Sequence, residues 1–169
     1  MNFPDWREPA RHSRRALAAV AAAAVAMLAF GLYLQEAVGL VPCPMCIVQR
    51  YALIAVALAA AVGAASRRIA PQRYATAAVA LFAGFGAFTA ARQSWLQWYP
   101  PPVVSCGRDF YGMIESFPLS RAIPLIFKGS GDCSKVDWTF LGGSIANWSF
   151  LVFTAMGAGA IWLWVKLRG

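Results

Sequence analysis

Four long apolar segments divide the sequence, and charged residues stand at or near their ends. The segments cover residues 16–35, 47–65, 74–91 and 145–165. An α-helix needs about 17 to 25 such residues to cross the hydrocarbon core of a bilayer. The second segment reaches this length only if its helix begins near Cys46 or Ile47, which brings Arg50 to the lipid boundary. The pattern predicts an all-α membrane protein in which residues 1–169 form one domain, a bundle of four transmembrane helices.

The first apolar segment has a second interpretation, because arginines precede an alanine-rich stretch as they do in a cleaved signal peptide. The apolar part of a signal peptide has about 7 to 15 residues. The segment 16–35 is longer, which favours a helix that stays in the protein.

The positions of Lys and Arg indicate how the bundle is oriented. Nine of the fifteen basic residues lie in three short segments, 7–15, 67–73 and 166–168. Short loops rich in Lys and Arg remain on the cytoplasmic side of a membrane. We therefore expect both termini in the cytoplasm and the loops 36–46 and 93–143 on the opposite side of the membrane.

Composition excludes two broad classes of protein. The chain is 60% hydrophobic and 13% charged, whereas soluble domains are about 25% charged. The net charge of +8 could suggest nucleic-acid binding, but that function needs basic residues gathered into a patch or along one helix. Here they stand at the ends of apolar segments, so we predict contact with membrane lipid and no binding of nucleic acid.

Other features of the membrane pattern have a structural interpretation. Aromatic residues flank the outer ends of the third and fourth segments, as in an interfacial belt: Trp95, Trp98, Tyr99, Trp138 and Trp148. Glycines within these segments favour close helix packing: Gly84, Gly86, Gly157 and Gly159. The short apolar stretch 119–127 cannot cross a bilayer, and we expect it to lie on the membrane surface.

Cysteine chemistry begins with Cys43-Pro44-Met45-Cys46, just before the second segment. Pro44 suits the first position of a helix, which would make Cys43 the N-cap and place Cys46 in the first turn. A helix N-terminus stabilises a thiolate there. Arg50 follows one turn later on the same face as Cys46 and adds a positive charge. A redox-active pair at the membrane edge is the resulting prediction.

The remaining two cysteines, Cys106 and Cys133, lie in the long loop. Disulfides persist outside the cytoplasm, and four cysteines allow three pairings. Their positions suggest Cys43 with Cys46 and Cys106 with Cys133. A cross-link between Cys106 and Cys133 would also stabilise the loop by about 3 to 4 kcal/mol, so a purely structural disulfide is an alternative.

Two further interpretations of the cysteines are less favoured. Inert buried thiols are common in apolar proteins, but here all four thiols fall on one predicted side of the membrane. A structural zinc site needs two close ligand pairs, whereas Cys106 and Cys133 are far apart in the sequence and the one histidine, His12, lies on the opposite side. We predict no metal site.

Three stretches of sequence resemble one known family. Residues 43–50, Cys-Pro-Met-Cys-Ile-Val-Gln-Arg, are similar to its first redox motif. Residues 96–100, Leu-Gln-Trp-Tyr-Pro, followed by Cys106, are similar to the start of its second periplasmic loop. Residues 129–133, Gly-Ser-Gly-Asp-Cys, are similar to the segment around its last cysteine. On these motifs the chain closely resembles the DsbB family, the quinone-coupled disulfide-forming proteins of Gram-negative inner membranes.

The resemblance implies an enzyme with a defined path for electrons. A reduced DsbA-like carrier of the thioredoxin fold attacks Cys106 in the periplasm and leaves oxidised. The electrons pass through Cys133 and Cys43, and Cys46, as a thiolate, reduces a bound ubiquinone or menaquinone. Arg50 stabilises that thiolate and the charge developing on the quinone oxygen.

Gln93 departs from the family pattern. Some members carry a histidine at this position, and it is implicated in their quinone site. Glutamine can donate a hydrogen bond but cannot deliver a proton at neutral pH. The resemblance therefore implies at most a hydrogen-bonding part for Gln93 in cofactor binding.

Other functions remain open from the sequence. A related membrane thiol oxidoreductase could serve a different dedicated carrier. Vitamin K epoxide reductase-like proteins share the chemistry, but their CxxC lies late in the bundle, whereas here it follows the first segment. Finally, the chain could be a non-catalytic membrane scaffold whose disulfides brace its loops. The enzyme hypothesis predicts that the protein reduces quinone. The scaffold hypothesis predicts only that removal of cysteines lowers the stability of the protein.

Overall fold

The computed structural model describes residues 7–100, 123–124, 126–127 and 131–168. Four long helices dominate this part of the chain: α1 (Arg7–Val38), α2 (Pro44–Ala65), α3 (Ile69–Trp98) and α5 (Ile145–Lys166). All four are long and apolar enough to cross a membrane. The predicted all-α, four-helix membrane architecture is confirmed. The orientation of the bundle and the sides on which its loops lie stay predictions.

Two of the helices are longer than the apolar segments that predicted them. With a rise of 1.5 Å per residue, α1 and α3 extend over about 48 and 45 Å, against about 30 Å for a hydrocarbon core. The added length of α3 includes residues 92–98, which carry several polar side chains. This extension brings Gln93 and Gln97 to the end of the bundle where α2 and α5 begin.

The helices pack in sequence order, α1 on α2, α2 on α3 and α3 on α5. Within the described residues, α1 and α5 have no comparable mutual packing, so a gap separates them. Small residues allow the close approaches. At Gly63 of α2, an added Cβ would lie 2.7 Å from both Ala75 of α3 and Leu17 of α1, and at Gly86 of α3 it would overlap the ring of Phe153.

Short elements precede α5. A single helical turn, α4 (Gly131–Ser134), is followed by the antiparallel strands β1 (Thr139–Phe140) and β2 (Gly143–Ser144). Leu141 and Gly142 connect the strands with φ of 49° and 80°, the left-handed values required at both centres of a type I′ turn. The sequence analysis did not predict this hairpin, because two residues per strand are too few for a periodic pattern.

Gln97 attaches the end of α3 to the start of α5. The hydroxyl of Ser144 donates a 2.6 Å hydrogen bond to the Gln97 oxygen and also caps α5 by accepting from the Asn147 amide. The Gln97 amide donates to the Lys135 carbonyl at 3.4 Å. These bonds fix the hairpin between the two helix ends.

Part of the predicted surface stretch 119–127 packs beside α3. Arg92 donates from Nε to the Phe127 carbonyl at 3.2 Å, and the Phe127 ring lies 6.5 Å from Phe85 and 6.0 Å from Phe88, between centroids. Both partner rings belong to the exposed apolar surface of α3. That the stretch lies on the membrane surface stays a prediction, and residues 119–122 and 125 are outside the described residues.

The close approach at Gly86 predicts that Gly86→Ala lowers the free energy of unfolding. We expect a loss of about 1 to 3 kcal/mol, the usual cost of overpacking a core, because the methyl group would displace the buried Phe153 ring. The measurement is unfolding in mixed micelles, followed by circular dichroism.

Gly84→Ala is the matched control, because an added Cβ at exposed Gly84 meets no atom within 4 Å. Alanine is favoured over glycine in a helix by about 1 kcal/mol, so this variant should be as stable as the unmodified protein or slightly more so. Equal losses in the two variants would contradict the packing described.

Candidate functional site

The CxxC motif forms the first turn of α2, as its sequence predicts. Cys43 is the N-cap, with its sulfur accepting from the Cys46 amide at 3.4 Å, and Pro44 opens the helix. The Cys43 sulfur donates to the Cys46 sulfur across 3.1 Å. A disulfide has a sulfur–sulfur distance of about 2.05 Å, so the two groups are separate thiols placed close enough to join by a small movement.

Cys133 lies against this pair. It is fully buried and packs with Cys43, Met45, Leu96 and Ile126. A hydrogen bond with Cys133, followed by one with Cys46 and by burial, raises the pKa of the Cys43 thiol well above its usual range. Cys43 therefore keeps its proton beside both neighbouring sulfurs. Three of the four predicted cysteines are thus adjacent, and the fourth, Cys106, is outside the described residues.

Gln93 is the polar side chain that contacts the thiol pair. Its amide nitrogen lies 3.3 Å from the Cys43 sulfur and 3.2 Å from the Cys46 sulfur. The Gln93 oxygen accepts a 2.7 Å bond from the amide of Gln49, one turn after Cys46. Gln93 is 4% exposed and Gln49 6%. Gln93 is therefore hydrogen-bonded to both sulfurs of the CxxC motif. Gln49, which the sequence analysis did not select, is a further polar residue of the site.

Arg50 connects α2 to α1. Its Nη1 donates to the Gln35 oxygen at 2.7 Å and its Nη2 to the Gly31 carbonyl at 3.1 Å, both on α1. Within the described residues, its hydrogen bonds go to α1, whereas the Cys46 sulfur accepts from the Gln93 amide and from the Cys43 thiol. Both acceptors of Arg50 are uncharged, so neither bond is an ion pair.

A cavity of about 690 Å³ joins these groups. It lies in the gap between α1 and α5, and both Cys46 and Arg50 line it. Small-molecule sites have volumes of about 300 to 1,000 Å³, mostly apolar walls and a few polar groups. The walls here are mainly apolar, and the polar side chains in them include Gln35, Gln49, Arg50, Gln93, Gln97 and Ser144.

Aromatic rings close one side of this cavity. Trp138 lies edge-on to Phe30 of α1, with ring centroids 6.1 Å apart, and stacks with Phe140 of the hairpin at the same distance. Trp148 of α5 donates from Nε1 to the Phe140 carbonyl at 2.9 Å. The sequence analysis assigned Trp138 and Trp148 to an interfacial belt. The structure shows that both also line the cavity, which no spacing along the sequence could have indicated.

In chemical terms, the site combines a dithiol with a cationic hydrogen-bond donor around an apolar space. The dithiol can give up two electrons by forming a disulfide, and the space has the volume and apolar lining of a small-molecule site. No group of three His, Cys, Asp or Glu within the described ranges is arranged to hold a metal ion, and the wider prediction of no metal site stays a prediction.

The contact between Cys43 and Cys133 predicts a disulfide that joins them when their other partners are removed. In a Cys46→Ser, Cys106→Ser variant, mild oxidation should link Cys43 to Cys133 nearly completely, as judged by mass spectrometry of the non-reduced protein. A Cys43→Ser, Cys106→Ser variant is the control and should cross-link more slowly, since the hydrogen bond of Cys133 is to Cys43. Equal rates would contradict the arrangement.

Comparison with known proteins identifies the family. The profile of the family described as "Disulfide bond formation protein DsbB" matches residues 13–163. Similar proteins named disulfide bond formation protein B occur in Verminephrobacter eiseniae, at 68% identity over 90% of this chain and 86% of the relative, and in Albidiferax ferrireducens, at 63% over 92% and 91%. One from Azoarcus sp. is 51% identical over 90% and 93%. The chain belongs to the DsbB family of membrane disulfide bond formation proteins.

Proposed function

We propose that this protein oxidises a periplasmic dithiol carrier of the thioredoxin fold, similar to DsbA, and passes the electrons to a membrane quinone. The observation that carries the proposal is that the Cys46 sulfur and the Arg50 guanidinium line the same apolar cavity. Membership of the DsbB family supports a disulfide-forming oxidoreductase. The carrier and the quinone belong to the proposal.

The cavity fits a ubiquinone or menaquinone. A quinone has a flat ring, two carbonyl oxygens that accept hydrogen bonds and an apolar tail. Aromatic walls at Phe30, Trp138 and Trp148 suit the ring, and the gap between α1 and α5 leaves space for the tail. A bound quinone would supply a two-electron oxidant that takes two electrons and two protons from a dithiol and becomes a quinol.

Arg50 would bind the oxygen of the quinone. A guanidinium has five N–H donors, and Arg50 uses two of them on α1. Those two bonds hold the group in place, and the other donors, which have no hydrogen bond to the part of the chain that the structure describes, would bind a ligand. Its charge would stabilise negative charge on an oxygen strongly, because few water dipoles screen it in an apolar surrounding.

Thiol exchange would bring electrons from the carrier to Cys43 and Cys46. The carrier thiolate attacks Cys106 and breaks a Cys106–Cys133 disulfide, and its second thiol then releases it in the oxidised form. Cys133 attacks Cys43 of a Cys43–Cys46 disulfide and frees Cys46 as a thiolate. Attack of Cys106 on Cys133 restores the loop disulfide and leaves Cys43 and Cys46 as the dithiol. The contact between Cys133 and Cys43 supports this order.

We further propose that the protein spans the bacterial inner membrane several times with its cysteines on the periplasmic side. The four apolar helices support the membrane location. The basic residues at the opposite end of the bundle, in the segments 7–15, 67–73 and 166–168, support the orientation.

Anaerobic reduction of added quinone by the dithiol-loaded protein tests this function. The unmodified protein should reduce one quinone for each Cys43–Cys46 pair, followed by absorbance of the quinone and by loss of free thiols. Cys46→Ala should reduce none, because its neighbour alone cannot form that disulfide. Retained helical circular dichroism is the control for folding. A protein that binds quinone but leaves it oxidised would refute the proposal.

Replacing Arg50 tests the oxygen site separately. We expect Arg50→Gln to weaken quinone binding about tenfold to a hundredfold, since a hydrogen bond to a charged group contributes about 1.5 to 3 kcal/mol. Arg92→Gln is the matched control, because Arg92 bonds the Phe127 carbonyl and does not line the cavity. Titration of quinone into each purified variant gives the affinities. Equal affinities for Arg50→Gln and the unmodified protein would exclude Arg50 from the site.

A further inference from the structure

Two buried glutamines connect α3 to the thiol pair of α2. The Gln93 amide nitrogen is within hydrogen-bond distance of both sulfurs, at 3.3 Å from Cys43 and 3.2 Å from Cys46. A carboxamide nitrogen carries two N–H groups, so one can point at each sulfur. The hydrogen bonds come from a side chain that is almost wholly shielded from solvent.

Gln49 determines which end of the Gln93 amide faces the sulfurs. Its own amide nitrogen donates to the Gln93 oxygen at 2.7 Å, the shortest bond in this group. If Gln93 turned its amide around while Gln49 stayed in place, two N–H groups would face each other. The Gln93 oxygen, which accepts from the Cys46 thiol at 3.6 Å in the observed orientation, would then replace the nitrogen beside both sulfurs and repel a thiolate. The bond from Gln49 therefore favours the arrangement in which N–H donors face Cys43 and Cys46.

Such donors favour one redox state of the pair. A hydrogen bond stabilises a sulfur that carries negative charge more than a neutral one, and a disulfide carries no charge. Gln93 would thus stabilise the reduced pair with one thiolate, which makes the Cys43–Cys46 disulfide a stronger oxidant of the thiols that reduce it. The same two bonds hold the sulfurs 3.1 Å apart, ready to form the bond again.

We propose that Gln49 and Gln93 act as a pair that sets the redox equilibrium of Cys43 and Cys46, with Gln93 bonding the reacting sulfurs and Gln49 as the positioning residue that orients it. This inference rests on the proposed function, in which the two cysteines are the electron donors to quinone. An amide has no charge change between pH 5 and 8, whereas a histidine titrates in this range. The donors at position 93 are therefore present throughout that range.

Equilibration with glutathione tests the role of the two glutamines without any quinone. The full-length, quinone-free protein is incubated in buffers of defined ratio of reduced to oxidised glutathione, and mass spectrometry then measures the fraction of Cys43–Cys46 disulfide. In Gln93→Leu we expect the equilibrium constant for reduction of this disulfide to fall about tenfold to a hundredfold, the loss that hydrogen bonds to a charged sulfur imply. The rate at which iodoacetamide alkylates Cys46 at neutral pH should fall with it.

Further variants separate orientation from packing. Gln49→Glu keeps the size of the side chain but offers an acceptor to the Gln93 oxygen, so it should lower the constant in the same direction by a smaller factor. Gln93→His restores an N–H donor and should recover part of the loss. Thr89→Val, one turn earlier on α3, is the matched control. The Thr89 hydroxyl bonds the Phe85 carbonyl of its own helix, and its replacement should leave the constant within about twofold, since no bond to a charged group is removed.

The outcomes distinguish this inference from the proposed function. If the equilibrium constants for Gln93→Leu and Gln49→Glu lie within twofold of that of the unmodified protein, the two glutamines do not set the redox equilibrium. This holds even if the unmodified protein reduces quinone. Conversely, suppose that the constant shifts in these variants although the unmodified protein cannot reduce quinone. That result would support the role of the glutamines and refute the proposed function. Should Gln93→Leu fail to fold, Gln49→Glu and Gln93→His decide the question.

Discussion

Burial of sulfur at the end of an apolar bundle is the constraint from which the rest of the site follows. Cys43 is 6% exposed and Cys133 is fully buried, so water cannot supply their hydrogen bonds. Buried polar groups need partners from the protein itself. Cys43 is hydrogen-bonded to Cys133 and accepts from the Gln93 amide, which also bonds the Cys46 sulfur, and Gln49 is the partner for the Gln93 oxygen. The polar cluster is thereby satisfied internally next to an apolar core.

The end of α3 organises this region because its polar residues point to three different elements. Arg92 bonds the Phe127 carbonyl in the long loop, Gln93 bonds the thiol pair of α2, and Gln97 accepts from Ser144 at the start of α5. One rigid helix end therefore fixes the relative positions of the loop, the thiol pair and α5. The extension of α3 beyond its apolar segment is what makes these contacts possible.

The gap between α1 and α5 gives the bundle its cavity. A void of this size inside a soluble core would destabilise the protein, since lost packing costs about 24 cal/mol per Å³ of cavity. The proposed quinone would restore those contacts when bound. Arg50 crosses from α2 to α1 beside this space, and the Trp138–Phe30 contact joins the hairpin to α1. Both contacts border the cavity on the side where α1 and α5 do not pack closely against each other.

Local features of the site were predictable, because they depend on neighbours in the chain. Pro44 and the cysteine spacing predicted the helix start, and Cys43 is the N-cap of α2 in the structure. The position of Arg50 one turn after Cys46 predicted a shared face, and both residues line one cavity. That the Arg50 charge stabilises a Cys46 thiolate stays a prediction, and the structure adds Gln93 as a hydrogen-bond donor to that sulfur. The face of the helix on which a residue lies limits the residues that it can contact. The distances to neighbouring helices then decide which of those contacts form.

The four membrane-length helices, and the thiol pair at the start of the second, could be predicted from the residues alone. Both follow from patterns within single segments, the length of an apolar stretch and the residue types of one helical turn. The packing of the bundle was needed to show that Gln93 bonds the thiols, that Gln49 bonds Gln93, and that Trp138 and Trp148 line a cavity as well as flanking helix ends. These residues come from segments far apart in the chain, and the packing of α2, α3 and α5 sets which of their side chains meet.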